Sequence, residues 1–174
     1  SEAAALFIGG SWLAALGSEA GCNWAAIGRK WLENRASRLI CDDGSFSQYS
    51  LNYHRVLLDT LSMAEIWRRH LGLPEFSVCW QQRARAASHW LNVMINHCNG
   101  DGPNLGANDG ARLLPLTDTD YRDYRPSVQL ATVLFLEVSA YSGDGTWNQP
   151  LQWLGLENPV KTSPSIKSEV FDQG

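Results

Sequence analysis

Between Ser45 and Arg55 the chain reads SFSQYSLNYHR, directly after Asp42-Asp43-Gly44. Gln48, Asn52, Tyr53, His54 and Arg55 bring a phenol, an imidazole, a guanidinium and two amides into one short stretch. Those groups can move protons and bind anions. A second polar cluster lies downstream, at Asn108-Asp109-Gly110 and then Asp118, Asp120, Tyr121, Arg122, Tyr124 and Arg125. A loop of that composition can close one end of a cleft and offer Arg125 to a substrate carboxylate. Each signal has a plainer alternative. Tyr53 could be a buried phenol tied to a carbonyl, His54 a structural imidazole, and the loop cluster turn chemistry with surface ion pairs.

The elements that must position these groups are helical. Apolar residues recur at helical period through most of the chain, and no alternating strand pattern precedes the tail. Helices are predicted over about Glu2 to Ala15, Asn23 to Ile40, Ser45 or Ser47 to Leu71, and Ser77 to His97. Trp24, Ile27, Trp31 and Leu32 form the second helix's apolar stripe. Leu57, Leu61, Ala64 and Trp67 form the third's, with Tyr53 on the same side. Ser45 and Gln48 have capping-box spacing. Val78, Ala86, Trp90, Val93 and Met94 are the expected buried positions of the fourth helix. Arg125-Pro126 opens a nearly all-apolar fifth helix, and a short one follows near Trp147 to Leu154. The stretch from Asn99 to Tyr124 reads as a long functional loop. The tail from Asn158 reads as a linker, with a strand starting at Ser168 to Phe171.

The bulk numbers bound the possibilities. A length of 174 residues suffices for one domain with a sizeable core. A net charge of -4 disfavours nucleic acid as a partner, and no apolar run reaches membrane-spanning length. Eight tryptophans are many for this length and hint at sugar stacking. Cys22, Cys41, Cys79 and Cys98 lack zinc-ligand spacing and read as buried thiols. Neither a metal nor a cofactor is implied.

Taken in order, SEAAALFIGG, DDGSFSQYSLNYHR, PNLGANDGARLLPL and DYRDYRP resemble the α-helical toroid domain of heparinase II/III-like polysaccharide lyases. The resemblance covers residues 1–155. Its central motif is specific enough to displace the plainer reading of Tyr53, and the ANDGA loop supports it independently. It implies an all-α fold, an incomplete (α/α) toroid of antiparallel helix hairpins, with residues 156–174 as a linker toward a β-sandwich domain. It also implies β-elimination on an anionic, uronate-containing polysaccharide. The resemblance makes Tyr53 the acid to the leaving glycosidic oxygen and, for some substrate stereochemistries, also the base. A phenol of ordinary pKa near 10 needs help to be a base at neutral pH. Gln48, His54 and Arg55 are carried over as substrate-contact or supporting residues. Asn108 and Asp109 either organise the loop or touch sugar.

The family's Asn-His pair precedes the segment aligned with SEAAALF, and another catalytic His belongs to the sandwich. The expectation is therefore a lyase fragment, inactive alone, that lacks N-terminal toroid helices and the sandwich. A periplasmic or secreted location is favoured over a cytoplasmic one. Two other functions stand beside it: a non-catalytic sugar-binding or scaffold module, and a glycoside hydrolase, which needs two cleft carboxylates.

Overall fold

The computed structural model of the chain describes residues 1–162 and 169–172. Among these the fold is all-α, with α1 (Glu2–Ala15), α2 (Glu19–Leu39), α3 (Leu51–His70), α4 (Val78–Met94), α5 (Arg125–Leu136) and α6 (Gln149–Trp153). A 3₁₀ turn at Thr146–Asn148 leads into α6.

α1 and α2 form a hairpin whose turn is capped by Ser18, its Oγ accepting the Gly21 N–H at 3.2 Å. The two backbones nearly touch. A methyl added at Gly10 would lie 2.4 Å from Ala25 N, one at Gly21 2.6 Å from Ala14 N, and one at Gly28 2.3 Å from Phe7 N. Partner positions fall on α1 as they rise on α2, so the helices are antiparallel. This seam admits only small residues, which settles which face of α2 turns inward. Gly21, Gly28, Leu32 and Ala36 are buried. Trp24, Ile27 and Trp31 face outward, 43–46% exposed. Of the stripe expected from the sequence, only Leu32 enters the core.

The core lies between α3, α4 and α5, where Leu58, Ala64, Trp80, Leu91, Val128 and Ala131 are almost wholly inaccessible. Removing one such large side chain from water is worth roughly 1.5–3 kcal/mol. Every residue of α5 from Pro126 to Phe135 is buried, so its C-terminal carbonyls cannot rely on water. Arg69 Nη2 of α3 donates to Leu134 O at 2.9 Å, and Arg85 Nε of α4 donates to Phe135 O at 3.0 Å. Glu65 in turn holds Arg68 and Arg69 at 2.8 and 2.7 Å. Three helices are thereby tied together at one end of the core.

The start of α3 differs from the expectation. Ser45 does not cap: its N–H and Oγ both donate to Asp43 Oδ1, at 2.9 and 2.7 Å, in a turn that returns Phe46 to Ile40. Gln48 is exposed rather than the partner of Ser45. Tyr49 has a φ of 48°, in the left-handed region, which stops a helix from running through it. Helix begins only at Leu51, with Ser50 Oγ accepting the Tyr53 N–H at 3.2 Å.

Other expectations also change. α4 ends at Met94, ahead of the expected His97. Val78 is 70% exposed because it opens the first turn of α4, and Ala86, Val93 and Met94 are only half-buried. Cys22, Cys79 and Cys98 are exposed and Cys41 half-buried, so none is the core thiol that its apolar neighbours suggested. Ser168 lies outside the described residues, and Glu169 to Asp172 form no strand. The tail instead makes an isolated parallel bridge from Ser139 to Thr162.

Candidate active site around Tyr53

Tyr53 stands in the first turn of α3, half-buried. It is not tied to a carbonyl. Its hydroxyl donates to Asp109 Oδ2 at 2.5 Å. Asp109 belongs to the ANDGA loop, which Ser50 Oγ binds from the α3 side by donating to Ala107 O at 2.6 Å. One serine thus caps the helix and fixes the loop that faces it. The approach is close: Gly106, at a φ of 70°, would place a methyl 2.1 Å from Tyr49 O, so a side chain there would push loop and helix apart.

The Tyr53–Asp109 contact rests on a buried layer. Asp109 Oδ1 accepts the Ala111 N–H at 3.2 Å and lies 3.5 Å from Asn52 Nδ2. Asn52 Oδ1 accepts from Arg55 Nη2 at 2.7 Å and lies 2.8 Å from the Tyr121 hydroxyl. That hydroxyl is also 2.7 Å from Asn108 Oδ1. The Arg55 guanidinium lies between the rings of Tyr121 and Tyr124, 4.5 and 4.6 Å from their centroids. It also donates to Tyr121 O at 2.5 Å and Ala111 O at 3.2 Å. Both halves of the long loop are therefore fastened to one buried cation on α3.

Four residues further along α3, Asp59 is as buried as Arg55. It is hydrogen-bonded by the Ser127 side chain and the Leu114 backbone, with Arg55 and Arg112 nearby. Burial outweighs these partners and pushes its carboxyl up to about 6. Asn52, Arg55 and Asp59 form a polar stripe at i, i+3 and i+7 of α3, a spacing visible in the sequence.

The electrostatics at the surface are of another kind. The hydrogen bond to Asp109 raises the Tyr53 phenol above its ordinary value, and the same bond lowers the Asp109 carboxyl. Tyr53 is accordingly held protonated beside an ionised carboxylate. The phenol holds its proton at neutral pH, and Asp109 opposes the phenolate whether it forms by proton donation or as a resting base.

The remaining candidates are placed elsewhere. His54 projects into the core, only 1% exposed, with Nε2 2.9 Å from Ala87 O and its ring stacked on Trp90. Burial lowers its pKa to about 4, so it is neutral at physiological pH. Of the two roles carried over for His54 and Arg55, burial leaves the supporting one. Arg125 forms a two-pronged pair with Asp123, Nε to Oδ1 at 3.0 Å and Nη2 to Oδ2 at 2.8 Å. Its Nη1 donates to Cys98 O at 3.1 Å, and its guanidinium sits 4.8 Å from the Trp147 centroid. All three guanidinium nitrogens have a protein partner, so Arg125 braces the loop in this structure.

The structure brings together Tyr53, Arg55, Asn108 and Asp109 of the sequence-expected set. It joins to them Asn52 and Tyr121 of the two polar clusters and adds Ser50 and Asp59. Among the described residues, no group of three or more His, Cys, Asp or Glu side chains could hold a metal ion. No family model, no curated protein and no solved structure matches the chain.

Proposed function

We propose that the chain is the Tyr53-bearing part of a lyase that cleaves a uronate-containing polysaccharide by β-elimination, on an incomplete (α/α) toroid of the heparinase II/III-like kind. The observation that carries this reading is the Tyr53–Asp109 contact. It presents a protonated phenol at the surface on a support of buried, mutually hydrogen-bonded groups. In the reaction, the proton α to the uronate carboxylate leaves to a base and the C4–O glycosidic bond breaks. Tyr53 gives its proton to the departing oxygen as charge develops there. The contact with Asp109 keeps Tyr53 protonated before reaction, the state from which an acid acts. No base and no group that neutralises the uronate is assigned among the described residues. Ser50, Asn52, Arg55 and Tyr121 set the geometry and do not touch the sugar.

A hydrolase reading finds less support. It needs an accessible carboxylic acid beside a carboxylate. Asp59, whose carboxyl is raised, is buried, whereas the exposed Asp109 is held ionised. The test is to incubate the longer polypeptide with uronate polysaccharides while following ultraviolet absorbance of the unsaturated product and release of reducing ends. Absorbance that is lost in Tyr53→Phe supports elimination. Reducing ends without the unsaturated product overturn it. The isolated chain is expected to show little or no turnover.

A further inference from the structure

The α1–α2 hairpin and the first half of α3 enclose a cavity of about 560 Å³, a volume in the range of small-molecule sites. Its walls are apolar: Leu6 from α1, Ile27 and Leu39 from α2, Leu57 from α3, and Phe46 from the turn ahead of α3. Each of these is half-buried or exposed, so their side chains are open to a molecule that enters. The buried Leu32 and Leu61 form the floor, where the cavity meets the core.

Arg35 lines the mouth. It is exposed, and among the described residues it makes no hydrogen bond and no ion pair. Every other described arginine except Arg38 bonds to a carboxylate or a carbonyl, and Arg38 does not line this cavity. The Arg35 guanidinium is held over the ring of Trp31, its carbon 4.9 Å from the centroid. That contact leaves the N–H donors, which lie in the guanidinium plane, unspent.

The ligand class follows from charge and from what the walls lack. A guanidinium fork matches a carboxylate in both shape and charge. Glu2 also lines the cavity, but it sits in the first turn of α1, where the positive end of the helix accommodates it. Arg35 has no such counter-charge. The buried hydroxyl in the lining, Thr60 Oγ1, already donates to Val56 O at 2.7 Å. A polyhydroxylated molecule would therefore lose water without gaining hydrogen bonds, whereas an aliphatic chain would bury against leucine.

We propose that this cavity binds a medium-chain aliphatic carboxylic acid as its anion, with the carboxylate on the Arg35 N–H groups and the chain against Leu6, Ile27, Leu39 and Leu57. The site goes beyond the elimination reading and includes neither Tyr53 nor Asp109, so either can fail alone.

The test titrates the whole chain with octanoate and decanoate by calorimetry, with the Trp31 indole N–H resonance as a second readout. Acetate, octanol and glucuronate are the contrasts. Decanoate is expected to saturate, and to bind more tightly than octanoate by up to about fourfold for each added methylene. Octanol should bind about tenfold more weakly than octanoate for want of the charge-assisted bonds, and acetate and glucuronate should not saturate. Arg35→Gln loses no hydrogen bond within the fold and Ile27→Gln stands at an exposed position, so both should keep the parent's circular dichroism. Arg35→Gln should weaken octanoate about tenfold and leave octanol unchanged, while Ile27→Gln should weaken both. The proposal is overturned if decanoate does not saturate, if octanol binds as tightly as octanoate, or if Arg35→Gln binds octanoate like the parent. A dimer in sedimentation that Ile27→Gln dissociates would also overturn it, since a second copy would then be the occupant. So would binding by the chain that is lost in the longer polypeptide, because another segment would then cover the walls.

Discussion

At one corner of the molecule Tyr53 meets Asp109 above the buried Asn52–Arg55 layer; at another Arg125 grips Asp123 beneath the ring of Trp147. Both corners use the same long loop, and both combine an arginine, an aspartate and an aromatic ring. In the Arg125 corner every charged atom faces another protein atom, so the cluster is complete as a brace. In the Tyr53 corner the buried arginine is the brace, and the phenol and carboxylate that it supports face outward. Both arginines are braces, and residue type alone does not separate the two corners. What separates them is whether the groups that the arginine supports are paired inside the fold or face outward.

That contrast can be broken most severely at Arg55. Arg55→Ala should leave Asn52, Asp59 and the Tyr121–Tyr124 sandwich without their shared partner. Removing one member of a buried charged set typically costs about 3–5 kcal/mol. Thermal or urea unfolding should show a loss of that size, and a change under 1 kcal/mol would mean that the buried layer is not the brace described.

The next effect is of similar size but depends on pH. Burial lowers the His54 pKa from its ordinary 6.5 to about 4. The stability linked to it is therefore present above 6.5 and lost as pH falls toward 4. Asp59 works in the opposite direction, since its pKa is raised from 3.8 to about 6. Its contribution is full below 3.8 and is lost as pH rises through 6. Each amounts to roughly 3 kcal/mol at most, so the two nearly cancel across the shared window. Asp59→Asn should unmask the His54 slope, with stability falling as pH drops from 6.5 to 4. His54→Phe should unmask the reverse. Urea midpoints measured across that window check both signs, and equal slopes in the two variants would contradict the assignment.

Smaller effects sharpen the comparison. Arg125→Gln should cost about 1–2 kcal/mol by removing charge-assisted bonds of a largely buried pair. It should leave turnover of the longer polypeptide unchanged, whereas a large kinetic loss with normal stability would return Arg125 to substrate binding. Ser50→Ala removes the cap of α3 and the bond to Ala107 O, and should lower stability by about 1 kcal/mol. Because the same serine holds the loop that carries Asp109, it should also lower turnover, which Arg125→Gln should not.

Much of this was legible in the sequence because helical periodicity is local. α1 matches its expected span, and α3 ends at His70, one residue short of the expected Leu71. The misses are those that need a partner far along the chain. Ser50 is the cap because Tyr49 adopts left-handed backbone against the loop at Gly106. Tyr121 lies 69 positions from the Asn52 that it contacts, and no local pattern couples them. Trp24 and Trp31 read as core because of their apolarity, but the glycine seam turns the other face of α2 inward. Tyr53 was legible as a proton-transfer candidate from its motif, whereas its bond to Asp109 appears only when loop and helix meet.

The most direct measurement is the ultraviolet absorbance of unsaturated product from a uronate polysaccharide, comparing the longer polypeptide carrying Tyr53 with its Tyr53→Phe variant. Loss of one proton-transfer group predicts a rate lower by about 10²–10⁴-fold, with the helical circular dichroism and unfolding midpoint unchanged. A Tyr53→Phe protein that turns over as fast as its parent would contradict the account at its centre.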